Sequence, residues 1–169
     1  MTSRAYYSDV FDAFLARDPD EILGALARHS QFSIEGTQRT AWLEQIHLLQ
    51  RALRPLNGCG KIYFEYAVPR LGKRIDVVLL IDNVIFVIEF KVGEKEFTSS
   101  AVDQVMDYAV DLKNFHETSH NCTVAPLLVA TNAKPPAFAV VATAQNDGVL
   151  LPILATEQSL LDVLRDVLQ

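Results

Sequence analysis

Cysteine is nearly absent from the 169 residues: only Cys59 and Cys122 occur, and they have no C-x-x-C spacing. This argues against a zinc site and a disulfide framework, and reduced thiols fit a cytoplasmic protein. No uncharged apolar run approaches the roughly 18 residues that a membrane-spanning helix needs. The opening stretch MTSRAYYSDVFDAF also lacks the basic flank, apolar core and small-residue cleavage site of an export signal. Positive charge is scarce, with 15 Lys and Arg against 21 Asp and Glu and a net charge of −6. Affinity for nucleic acid through surface charge alone is therefore disfavoured, and any such binding has to be local or assisted by a metal ion.

What is present is the apolar half of a globular protein, in a chain of about single-domain size with no internal repeat, linker or low-complexity segment. Residues 1–34 read as a helical extension, with Asp18 as cap and Pro19 at the first position of its second helix. Trp42, Leu43, Ile46, Leu49 and Leu53 recur at helical steps from Thr37 onward, and Arg54-Pro55 and Asn57-Gly58 end that helix. Three Val-, Ile- and aromatic-rich strands follow, over 62–68, 75–81 and 84–92. VVLLI and VIFVI are continuously apolar, which places them centrally in a sheet with helices on both faces. Thr98, Ser99 and Ser100 are capping candidates for a helix over about 101–116, with Asp103 in capping-box spacing from Ser100. An apolar strand over 124–131, short strands over 138–142 and 149–154, and a helix over 160–168 complete the chain.

The turn Asp82-Asn83 tolerates the left-handed backbone of a two-residue hairpin. With Ile81 facing Val84, paired residue numbers sum to 165, and Asp76 stands opposite Glu89. Carboxylates opposed across a ladder lie roughly 5 Å apart and repel unless something compensates them. A hard divalent cation does so, because Mg²⁺ binds through one or two protein carboxylates plus water and phosphate oxygens. Lys91 lies on the same strand face as Glu89, about 7 Å along. The flanking residues Ile85 to Val92 are otherwise apolar, which makes a plain surface ion pair on an edge strand costly. Two acids and a lysine converging in this way suit metal-assisted phosphodiester hydrolysis.

Asp76, followed after twelve residues by Glu89-Phe90-Lys91, resembles the PD-(D/E)XK nuclease superfamily, and Gln104 with Tyr108 resembles the Q-x-x-x-Y element of its RecB-like members. The resemblance covers residues 35–132. It implies a restriction-endonuclease-like α/β core, a central mixed sheet of four to five strands flanked by helices on both faces, with C-terminal strands and a helix over 133–169. It implies Mg²⁺ or Mn²⁺ held by Asp76, Glu89 and the Phe90 carbonyl, and Lys91 serving the attacking water. Gln104 and Tyr108 would position the site and contact DNA or RNA. The segments FEYAVPRLGKRIDVVLL and DYAVDLKNFH also resemble the nuclease-like region that precedes the motor of certain bacterial ATP-dependent helicases. No G-x-x-x-x-G-K-[ST] phosphate loop occurs here, so a helicase motor would be a partner or a separate domain.

The superfamily often adds a third acid, for which Glu65, Glu44 and Glu35 all qualify, Glu65 being favoured because it stands within a strand between Phe64 and Tyr66. Arg70, Lys73 and Arg74 are the candidate nucleic-acid contacts, and the register sets Arg74 opposite Lys91. Of the histidines only His116 and His120 share a ligand-like spacing, and they straddle a helix end. Two readings compete with a nuclease: a non-cleaving nucleic-acid-binding module of the same fold, and a protein-interaction domain with a structural charge cluster.

Overall fold

The computed structural model describes residues 4–30, 35–56, 60–68, 72–115 and 117–169. Asn57-Gly58, Cys59, Arg70 and His116 lie outside them. A six-stranded mixed sheet runs in chain order, β1 (Tyr7–Val10), β2 (Gly60–Ala67), β3 (Arg74–Ile81), β4 (Val84–Lys91), β5 (Thr123–Ala130) and β6 (Ile153–Ala155). The first four are antiparallel neighbours, whereas β4–β5 and β5–β6 are parallel. The helices are α1 (Phe11–Ala16), α2 (Pro19–His29), α3 (Gly36–Leu53), α4 (Ser99–Phe115) and α5 (Leu160–Leu168). The order α3-β2-β3-β4-α4-β5 is the helix, three strands, helix, strand expected for the core. No helix of the described residues is long and apolar enough to cross a membrane.

Both faces of the sheet are covered, because the apolar runs of β4 and β5 have no polar side to offer water. On one face Ile62, Phe64, Val77, Leu79, Phe86 and Ile88 form a core with side chains of the helices, among them Phe14, Leu26, Trp42, Ile46 and Val163. On the other, Val78, Ile85, Val87 and Leu128 pack against Val105, Ala109 and Leu112 of α4. The Asp18 side chain accepts from Asp20 N as a cap should. For α4 the cap is Thr98, whose hydroxyl accepts from Ala101 N. Ser100 lies inside the helix, so its spacing to Asp103 makes no capping box.

The sheet has one strand more than the upper bound of four to five. The addition at one edge is β1, which pairs with residues 61–64 of β2. A four-residue strand containing a serine and an aspartate leaves no alternating signal to read, so the expected helical extension contains a strand as well as two helices. The expected strand over 138–142 contributes a single bridge, Ala142 to Leu150, and pairing over 149–154 narrows to that bridge, one from Val149 to Val124, and β6. Here β6 occupies the free edge of β5, and Val140 and Val141 remain exposed.

Candidate functional site

The β3–β4 hairpin carries the expected register, from Ile81↔Val84 to Val77↔Ile88, and Asp82 at its turn adopts φ 51°. The ladder ends one pair short of Asp76 and Glu89. There the Asp76 carboxylate replaces a strand partner: its Oδ2 accepts from Phe90 N at 2.9 Å. Two like-charged residues at the ladder's end are thus accommodated by letting one side chain satisfy the backbone of the other strand.

Glu65 belongs to the same row. In β2 it falls between the pairs Phe64↔Val77 and Tyr66↔Ile75, level with Asp76, and it has φ 53° although it is not glycine. Side-chain alternation changes phase at this row. Ile62 and Phe64 enter the first core and Tyr66 and Val68 the second; in β3, Val77 and Leu79 enter the first and Ile75 the second. The Glu65 carboxylate accepts from the indole Nε1 of Trp42 at 3.0 Å. Its carbonyl accepts from Arg74 Nη1 at 2.6 Å.

Glu89 is 7% exposed, and among the described residues nothing donates a hydrogen bond to its buried Oε2. Oε1 lies 3.7 Å from Lys91 Nζ. Lys91 also donates to Gln104 Oε1 at 3.4 Å, and Gln104 Nε2 donates to the Tyr108 hydroxyl at 2.9 Å. A chain of polar contacts therefore runs from Tyr108 on α4 through Gln104 and Lys91 to Glu89. Four-residue spacing on a helix brings Gln104 and Tyr108 to one face, and alternation along β4 brings Glu89 and Lys91 beneath them.

The acids sit where ionisation is costly. Burial pushes the Asp76 carboxyl well up from the ordinary range, with Glu89 and then Glu65 adding to the rise, while the Phe90 N–H and Lys91 oppose it. Glu89 is raised, first by burial and further by Glu65, against the pull of Lys91 and of hydrogen bonding with Asp76. Burial raises Glu65 as well, opposed by the Trp42 hydrogen bond and Arg74. The Tyr108 phenol is raised by burial and by the charges of Glu89, Asp76 and Glu65, with its Gln104 hydrogen bond acting the other way.

Beside this cluster lies a cavity of about 560 Å³ whose lining includes Lys73, Lys91, Ser100, Gln104, Asp107 and Tyr108. Its lining lysines are matched by Asp103 and Asp107, so the groove has no positive excess of its own.

Of the expected residues, Asp76, Glu89, Lys91, Gln104 and Tyr108 come together, and Glu65 joins them. Lys73 lines the groove. Arg74 is elsewhere: its guanidinium lies 4.1 Å over the Tyr6 ring and donates to the Glu65 and Arg4 carbonyls rather than facing Lys91. The ladder has already ended at that level, so counting along the register no longer predicts a contact. Glu44 and Glu35 are exposed on α3 and at its N-cap. His120 is exposed, its ring nitrogen 3.4 Å from the Asn114 carbonyl. Trp42 was legible only as part of an apolar stripe; the usual need of a buried indole N–H for a partner was the available signal. Among the described residues no three His, Cys, Asp or Glu side chains form a ready metal-binding group. The Asp76–Glu89 pair, with one buried carboxylate oxygen lacking a donor, nevertheless meets what Mg²⁺ takes from a protein when water and phosphate supply the remaining ligands.

No family model matches this sequence, and no curated protein matches it. Among solved structures it is similar to a repair endonuclease from Pyrococcus abyssi, at 22% identity and TM-score 0.41, over 62% of this chain and 42% of that one. It is also similar to protein VC1899 from Vibrio cholerae, at 14% identity and TM-score 0.38, over 89% of this chain and 42% of that one. The chain spans less than half the length of either.

Proposed function

We propose that this chain is a Mg²⁺- or Mn²⁺-dependent nuclease that hydrolyses phosphodiester bonds of DNA or RNA. The observation that carries this reading is the buried, donor-free Oε2 of Glu89 beside Asp76, with Lys91 on the same strand. Asp76, Glu89 and the Phe90 carbonyl would hold the ion. When bound, it would acidify a water and polarise the phosphoryl group. It would also supply the positive charge that the groove lacks.

The chain's own residues do the rest. An ammonium has three donors, and two of those on Lys91 are directed at Gln104 Oε1 and towards Glu89. The third is left for a phosphoryl oxygen, where charge develops in the transition state. The Gln104 amide is oriented by its donation to Tyr108, which keeps Oε1 towards Lys91. Lys73 provides a second contact for the substrate backbone along the groove. A cytoplasmic setting and an associated helicase motor belong to the same reading, through the resemblance of the segments around Glu65, Asp76 and Tyr108.

The test is incubation with single-stranded, duplex and branched DNA and RNA in Mg²⁺ or Mn²⁺, with a chelator control. Metal-dependent cleavage of at least one substrate is expected. Intact substrates throughout would overturn the nuclease reading and favour a non-cleaving binding module.

A further inference from the structure

Left-handed backbone at a residue other than glycine, asparagine or aspartate is costly, and it persists only where surrounding contacts over-determine it. Glu65 meets this description inside a strand, at φ 53°, on the row of Asp76. Two contacts hold it. The Trp42 indole, on a helix 23 residues earlier and only 3% exposed, donates to the carboxylate. The Arg74 guanidinium, anchored on the Tyr6 ring, donates to the carbonyl of the kinked residue. One restraint acts on the side chain and the other on the backbone, and neither residue lines the groove beside Lys91. The kink coincides with the phase change that separates Phe64 from Tyr66, so it re-aims Glu65 relative to its neighbours.

Resting on the metal-dependent reading above, we infer that Trp42 is a positioning residue: through its hydrogen bond it sets Glu65 as an acid outside the metal's own ligands that orients and strengthens the Asp76–Glu89 seat, while Arg74 holds the kink. Glu65 is not one of a ready ligand group among the described residues, and one of its oxygens is already taken by Trp42. Acids in that position act by fixing ligands and bound water, and their loss weakens metal affinity by about 10–100-fold.

Mn²⁺ binding, measured by calorimetry without nucleic acid, tests this in wild type, Trp42→Phe, Glu65→Gln and the double variant. Trp42→Phe keeps an aromatic ring in the core and removes the donor. Either single substitution should weaken Mn²⁺ binding by about 10-fold or more. The double variant should be no weaker than Glu65→Gln, because both changes break one linkage. Unchanged affinity in both single variants, or losses that add in the double, would overturn the inference. Glu65→Gln retains an acceptor for the indole, so an unaltered affinity there decides against the inference even if Trp42→Phe does not fold. Wild type that binds no Mn²⁺ overturns this inference and the metal-dependent reading together. Binding that shifts as expected in a protein that cleaves nothing upholds the inference and removes only the nuclease activity.

Discussion

Glu89→Gln is expected to stabilise the metal-free protein at pH 8, although it deletes an ion pair. Burial is the largest influence on Glu89 and outweighs Lys91, which lies 3.7 Å away with its side chain about a third exposed. Its carboxyl is pushed up to about 7. Between the ordinary carboxylate range and that value, the native protein retains a proton that the unfolded chain has released. Stability must therefore fall as pH rises through this window, the reverse of a carboxylate stabilised by its partners. Asp76 and Glu65, raised by burial in the same way, act in the same direction. Removing one buried charge should return about 1–3 kcal/mol at pH 8. In a domain of this size that raises Tm by about 2–4 °C per kcal/mol. At pH 5 the difference between wild type and variant should shrink towards zero. Thermal denaturation of both proteins in chelator at the two pH values checks this; a variant less stable than wild type at pH 8 would show that the ion pair, not desolvation, dominates. Mn²⁺ should reverse the order, because only wild type gains the binding energy, about 2.7 kcal/mol at a hundredfold excess over Kd.

The second large effect concerns the lysine. Lys91→Ala should lower kcat by about 10²–10³, the typical loss when one preorganised donor to a developing charge is removed. Mn²⁺ affinity should stay the same or tighten, since a cation beside Glu89 is gone. That split between catalysis and metal binding separates Lys91 from Asp76 and Glu89, and kinetics with calorimetry on the same preparation reads it. Cleavage at the wild-type rate in Lys91→Ala would remove the lysine from the mechanism.

How much of this could be read from the sequence differs residue by residue. The β3–β4 register was legible because Asp82 tolerates a left-handed turn, and a short hairpin turn fixes the pairs from Ile81↔Val84 to Val77↔Ile88. Lys91 was legible because strand alternation places it on the face of Glu89, whereas Gln104 and Tyr108 were picked out by their resemblance to the Q-x-x-x-Y element, to which helix periodicity adds only a shared face. Arg74 was not, because counting assumes a ladder that continues, and this one stops where the acids meet. The kink at Glu65 was hidden for a related reason: pattern reading assigns every strand residue the same extended backbone, so a left-handed glutamate leaves no trace in its neighbours. The role of Trp42 depends on that kink and was hidden with it. At the sheet edges, β1 and β6 are too short to show alternation, and pairing there depends on which edge is free.

In the proposed mechanism Asp76 and Glu89 together seat a divalent metal beside Lys91. Calorimetric titration of Mn²⁺ into wild type and Asp76→Ala tests it most directly. Wild type should bind saturably and Asp76→Ala should not bind, while the variant keeps a cooperative thermal transition. Equal binding by the two proteins, or none by wild type, would contradict it.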